Sequence, residues 1–175
     1  MNLLIRIVPI SCLLLLIAGC TSEGLREMSN NTPLLGSWQL VSWTTENPSG
    51  EVHYPYGKEA YGKLIYESNG NMTALLMSDD RALFTSEDIG SRKPEEALKA
   101  FNSFFAYAGP YTVVKDSSFV LHKVEACNNP NWVGRTQKRM FALSGDTLTL
   151  STPPIAVLGN ETRASKQVLV WSKSK

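Results

Sequence analysis

Cysteine and histidine are scarce: three and two in 175 residues. Cys12 and Cys20 fall inside or just after an N-terminal apolar stretch, which leaves Cys127 alone in the body of the chain. That excludes an internal disulfide there, and a lone cysteine is most often a small buried apolar residue. An excess of either charge is missing too. Seventeen Lys and Arg stand against sixteen Asp and Glu, with no basic stripe, so the electrostatic footprint of a nucleic-acid binder is absent. There is no Gly-rich phosphate loop, no G-x-S-x-G elbow, and no thiol–histidine pairing that sequence supports. Asp79-Asp80 is the one acidic pair to consider for a metal, and without a His or Cys cluster at ligand spacing it reads as a solvated loop. His53, before Tyr54-Pro55-Tyr56-Gly57, carries no signal of its own. The expectation is a protein without metal, cofactor or nucleic-acid partner.

What is present begins at the N-terminus. Arg6 supplies a positive charge, Leu13-Leu14-Leu15-Leu16-Ile17 forms the apolar centre, and Ala18-Gly19 places small residues before Cys20, the three parts of a secretory signal. An uncleaved membrane span is the competing reading. It needs about twenty apolar residues, and Arg6, Pro9 and Ser11 leave the run short. Ile17-Ala18-Gly19-Cys20 resembles the lipobox of bacterial lipoproteins. The resemblance implies that residues 1–19 are removed and that Cys20 is acylated as the first mature residue. Acyl chains contribute about 0.8 kcal/mol per buried methylene, so two or three of them anchor permanently. Thr21, where Asp would mark inner-membrane retention, implies the outer membrane, facing the periplasm. Beside a lipobox, the sequons at Asn30, Asn71 and Asn160 read as chance matches.

Residues 20–33 are polar and read as the lipidated cysteine followed by a flexible tether. From Leu34 to the C-terminus, short apolar and β-branched runs alternate with turn residues, as in a single all-β domain. The expected strands are 37–43, 63–67, 72–77, 111–114, 119–126, 137–143, 147–151 and 168–171. Asn69-Gly70 between two of these runs is a strong hairpin signal. Pro94-Glu95-Glu96-Ala97 opens like a helix, with acids near the positive end of its dipole. Ala97, Phe101, Phe104, Phe105 and Ala108 then follow at helical spacing, with Gly109 placed to end it. Ser78 to Lys93 reads as a loop. The fold class is therefore all-β: about eight antiparallel strands closing into a barrel, with one helix between the third and fourth. A sandwich is the competing architecture. A barrel of this size is either filled by side chains or holds one small ligand.

Strand alternation identifies an inner face. Phe141, Leu143, Leu148 and Leu150 are the alternating apolar positions around Gly145. Period two then places Gln137 and Arg139 on the same side as Phe141. On the preceding strand, Val120, His122, Val124 and Ala126 face inward, because the opposite set ends in Lys123 and Glu125. His122, Gln137 and Arg139 would thus project into the barrel, where polar groups are costly unless partnered. Tyr66, Tyr107 and Trp132 are further candidates, with apolar rings and polar tips. Ordinary core packing competes for each of the three. A terminal Arg–carboxylate pair competes for Arg139, and a satisfied core histidine for His122.

Gly36-x-Trp38-x-Leu40-x-Ser42 resembles the opening G-x-W-x-L-x-S of lipocalin-like proteins. Tyr54-Pro55-Tyr56-Gly57, Gly62-Lys63-Leu64-Ile65-Tyr66, Phe104-Phe105-Ala106-Tyr107-Ala108-Gly109, His122, Glu125, Pro130-Asn131-Trp132-Val133-Gly134, Gln137-x-Arg139-x-Phe141 and Gly145-Asp146-x-Leu148-x-Leu150-Ser151-Thr152-Pro153-Pro154 follow in order. Together they are similar to the bacterial and fungal lipocalin-like domain family. The resemblance implies a calycin-type barrel with a central cavity and groups His122, Gln137 and Arg139 as a set; it fixes no chemistry. Three functions stay open. The first is a membrane-tethered binder of a small apolar molecule with an acidic or carbonyl group. The second is an isomerase or cyclase on a hydrophobic carbonyl substrate, with His122 moving a proton and Arg139 stabilising an enolate. The third is a filled, structural envelope domain.

Overall fold

A computed structural model describes residues 32–114, 117–153, 155–157 and 160–174, the stretches 155–157 and 160–164 by backbone alone. The expected leader, Cys20 and nearly all of the tether lie outside the described residues, as do Lys115 and Asp116 of one expected turn. The elements in chain order are β1 (Gly36–Glu46), β2 (Val52–His53), β3 (Tyr61–Tyr66), β4 (Asn71–Met77), α1 (Pro94–Asn102), β5 (Phe104–Val113), β6 (Phe119–Lys123), β7 (Ala126–Cys127), β8 (Thr136–Ser144), β9 (Thr147–Ser151), β10 (Ile155–Val157) and β11 (Asn160–Lys173).

Eight of the strands form the expected barrel. They run β1-β3-β4-β5-β6-β8-β9-β11, each antiparallel to the next, and β11 pairs back onto β1 from Trp38↔Lys173 to Glu46↔Lys166. Closure leaves no exposed edge along the main sheet. The short strands β2, β7 and β10 pair outside this cycle with β1, β5 and β11.

Two expectations are corrected. The helix follows the fourth strand, not the third, because Val52–His53 pairs with the end of β1. Asn47 makes that extra turn: its Oδ1 accepts from the Ser49 and Glu51 backbone N–H groups at 3.1 and 2.9 Å. The helix also stops at Asn102. Phe104, Phe105 and Ala108, expected as helix, lie in β5, which pairs with β4 along its length from Met77↔Phe104 to Asn71↔Pro110. Helical spacing and strand alternation overlap over so few residues, and β4 offers a whole ladder of partners. Arg81 closes the helix by donating to the Ala100 carbonyl at 2.8 Å and to Ser103 Oγ at 2.9 Å. Gly109 has a different task from ending a helix. Its φ is +154°, and a Cβ there would lie 2.0 Å from the Lys123 carbonyl oxygen, so its lack of a side chain lets β6 approach β5.

The inner face is largely as alternation predicts. Val120, His122 and Val124 are buried, as are Leu148, Leu150 and Arg139. Leu143, expected inside, is exposed beside the β8–β9 turn, and Ala126 is exposed where β6 has already ended. One end of the interior is solidly packed. Trp38 there donates its indole N–H to the Leu34 carbonyl at 2.8 Å, and the Lys173 ammonium lies 4.3 Å from the centre of its ring. Lys173 also donates to the Leu35 carbonyl, tying the segment that leads into β1 to the last strand.

Midway along β1 the register slips. Leu40 faces Trp171 but Ser42 faces Val170, so two residues of β1 span one residue of β11. This is a β-bulge. Val41 is 57% exposed, and the slip brings Trp43 opposite Leu169 on the inward side. Plain alternation from Trp38 would have turned Trp43 outward.

Candidate functional site

Beyond the packed end, the barrel keeps a cavity of about 170 Å³. Its walls are mostly apolar: Leu64, Ala74, Leu76, Leu150 and Leu169, with the rings of Phe105, Trp43, Trp132 and Trp171. An apolar cavity of about 150 Å³ accepts benzene, so this space suits a molecule with a single aromatic ring.

Tyr56 belongs to the same wall, and the Tyr54-Pro55-Tyr56-Gly57 motif explains how it gets there. Gly57 has φ +84°, and a Cβ there would collide with the Asp79 carboxylate. Asp79 accepts from the Glu59 N–H at 3.0 Å and its own N–H donates to the Tyr56 carbonyl. Asp79 is therefore a turn clamp. The clamped turn presents the Tyr56 ring edge-on to Trp43, with centroids 4.7 Å apart. Asp80 is occupied by Ser78 Oγ, a hydrogen bond that holds its carboxyl below the usual carboxylate range. Among the described residues no cluster of His, Cys, Asp and Glu is placed to hold a metal.

The polar groups on the wall are chiefly donors. Arg139 projects from β8 and is 8% exposed. It donates to the Lys138 carbonyl at 3.0 Å and lies 5.7 Å from the Trp132 ring centre. No carboxylate pairs with it among the described residues, so none of them supplies the competing terminal ion pair. Gln167 accepts the Trp43 indole N–H on Oε1 at 3.2 Å, which leaves its amide NH2 as the end not used in that contact. The buried indole N–H of Trp171 has no partner among the described residues. Leaving such groups unpaired in a low-dielectric interior is costly unless something enters to accept from them.

The structure divides the six residues singled out by sequence. Tyr107, Trp132 and Arg139 line the cavity. Trp132 sits in a short 3-10 turn, Pro130–Trp132, and packs edge-on against Phe105 at 4.9 Å. Tyr66 and His122 lie behind the wall. His122 is fully buried, with Tyr66 Oη 2.8 Å from Nε2 and Tyr107 Oη 2.8 Å from Nδ1. Burial, reinforced by the nearby Arg139 charge, lowers its pKa to about 3, so the imidazole is neutral. Burial also raises both tyrosine hydroxyls, and the Arg139 charge opposes this. Gln137 pairs with His122 across β6 and β8, yet it is half-buried and does not line the cavity.

Sequence reasoning missed Trp43, Tyr56, Thr152, Gln167 and Trp171. Trp43 depends on the bulge and Tyr56 on the clamp at Asp79, far along the chain, neither marked by periodicity. Tyr56 was at hand in the Y-P-Y-G motif, with Gly57 signalling the turn. Cys127 is half-buried, and its sulfur accepts from the Asn129 N–H at 3.3 Å, a structural role within a turn.

Comparison with known proteins agrees with this architecture. A protein of Aspergillus oryzae (strain ATCC 42149 / RIB 40), named as a 4'-hydroxy-3'-methoxypropiophenone carrier protein, is 34% identical over 109 residues. The matched segment is 58% of this chain and 96% of that relative. The profile of the lipocalin-like domain matches residues 35–174, the whole barrel, and the chain belongs to that family.

Proposed function

We propose that the protein is a lipid-tethered carrier whose barrel holds a small, largely apolar molecule bearing one acidic or carbonyl group. The observation that carries this is Arg139, a buried guanidinium on the wall of an apolar cavity with no carboxylate partner among the described residues. Apolar walls supply burial, and a guanidinium with neighbouring donors fixes the polar end. The name of the Aspergillus relative supports an aryl ketone as the kind of cargo. Tethering rests on the lipobox-like Ile17-Ala18-Gly19-Cys20, with Thr21 favouring the outer membrane.

The other two readings fare worse. His122 has both ring nitrogens committed to tyrosines and does not line the cavity, so an isomerase or cyclase loses its proton carrier. An open cavity argues against a filled structural barrel. Native mass spectrometry of the full chain beside Arg139→Ala tests the carrier function. The expected result is a small-molecule adduct on the first that is weakened on the second; equal retention by both would remove Arg139 from the site. Incorporation of labelled palmitate, lost in Cys20→Ser, tests the anchor.

A further inference from the structure

Behind the cavity wall, the Tyr66–His122–Tyr107 chain has a direction. A neutral imidazole carries one N–H, so one tyrosine donates to the ring and the other accepts from it. Tyr66 is buried, stands off the cavity and touches no other hydrogen-bond partner among the described residues. If its hydroxyl proton did not go to His122 Nε2, it would be buried with no acceptor at all, the more expensive arrangement. Nε2 is then the acceptor and the ring proton sits on Nδ1, where it donates to Tyr107 Oη. The Tyr107 proton cannot return to the ring. Nor can it go to Arg139, which has only donors. Of the two tyrosines, Tyr107 is the one on the cavity wall.

We infer that Tyr66 and His122 form a one-way hydrogen-bond relay that makes the Tyr107 hydroxyl a dedicated donor to the cavity, so that Tyr107 and Arg139 together select ligands with an acceptor oxygen, carbonyl or carboxylate, on a one-ring apolar skeleton. This rests on the carrier function proposed for the cavity. Tyr107 is the ligand contact; His122 and Tyr66 are positioning residues. The remaining described wall agrees in sign: Gln167 Oε1 is taken by Trp43, the Trp171 N–H has no partner among the described residues, and no acidic side chain among them lines the space. Sites with buried donors reject an isostere that lacks the acceptor far more strongly than a merely apolar pocket does.

Two measurements test it. The first is 15N NMR of the histidine-labelled full-length protein, with the His122 signals assigned by their loss in His122→Gln. It should show a protonated, pyrrole-like Nδ1 and an unprotonated Nε2, and Tyr66→Phe should shift this tautomer balance without touching the ligand. A proton on Nε2 in the wild type would overturn the relay. The second is titration calorimetry with propiophenone and propylbenzene, which share a ring and chain length and differ in the carbonyl. The ketone should bind about tenfold more tightly. Tyr107→Phe should lower that ratio severalfold, the remainder being due to Arg139. An unchanged ratio in Tyr107→Phe, or equal binding of both probes by the wild type, overturns the inference and leaves the carrier function standing. Binding of neither probe overturns the assigned ligand class together with the carrier function.

Discussion

Two tryptophans on β1 show the two halves of the barrel interior. Trp38 is buried, its N–H is bonded to the Leu34 carbonyl, and Lys173 covers its ring. Trp43, past the bulge, is half-buried, bonds the Gln167 side chain and borders an empty space. In the first half the Trp38 indole is satisfied within the protein. In the second, the Trp171 indole N–H has no partner among the described residues and lies beside the cavity. On the proposed carrier function, stability resides at the Trp38 end and recognition at the Trp43 end, with the bulge as the boundary.

Trp38→Ala attacks the packed half and should have the largest effect, about 3–5 kcal/mol of lost stability by chemical denaturation. Trp43→Ala should cost about 1–2 kcal/mol while abolishing ligand retention. Equal losses from the two would erase the distinction.

The next effect comes from His122, at the junction of the halves. Its folded pKa of about 3 lies below the ordinary 6.5 because burial, and then the Arg139 charge, disfavour the cation; the hydroxyls of Tyr66 and Tyr107 face both ring nitrogens. Below 6.5 the unfolded chain takes up a proton that the folded chain refuses. The contribution of His122 is therefore full above that pH and is lost as pH falls toward 3, by up to roughly 1.4 kcal/mol per unit. Denaturation curves for wild type and His122→Gln should diverge in slope only in that window. Parallel curves would mean that the histidine is charged or solvated.

A smaller effect, with the opposite sign for stability and binding, is expected at Arg139. Arg139→Met removes an unpaired buried charge, so the protein should be unchanged or about 1 kcal/mol more stable while affinity for an acidic or carbonyl ligand falls. A loss of stability there would place Arg139 with the packed half. The smallest change is Leu98→Ser on the outer face of α1, where the side chain is 61% exposed. Thermal melts should move by no more than about 0.5 kcal/mol equivalent.

Much of this comparison was legible in the sequence. The hairpin at Asn69-Gly70 forms, with Tyr66↔Met72 flanking it, and the inward set of Val120, His122 and Arg139 follows from alternation. Tyr107, Trp132 and Arg139 do meet at one cavity. The errors have a common physical origin. Phe104 and Phe105 fit two periods at once, and only pairing with β4 chose the strand. The role of His122 changed because its two tyrosine partners lie 56 and 15 residues away.

Local chemistry alone wrote most of the extended segments, the tight turn at Asn69-Gly70, the apolar face of the strands, and the sharing of that face by a charged and an imidazole side chain. The tertiary structure decided everything that depends on a partner strand. Pairing with β11 set the bulge that turns Trp43 inward, closure left the cavity instead of filling it, and the approach of Tyr66 to His122 set the Arg139–Tyr107 wall in front and the histidine behind. Alternation is a property of one strand, whereas register, bulges and buried hydrogen-bond partners exist only between strands.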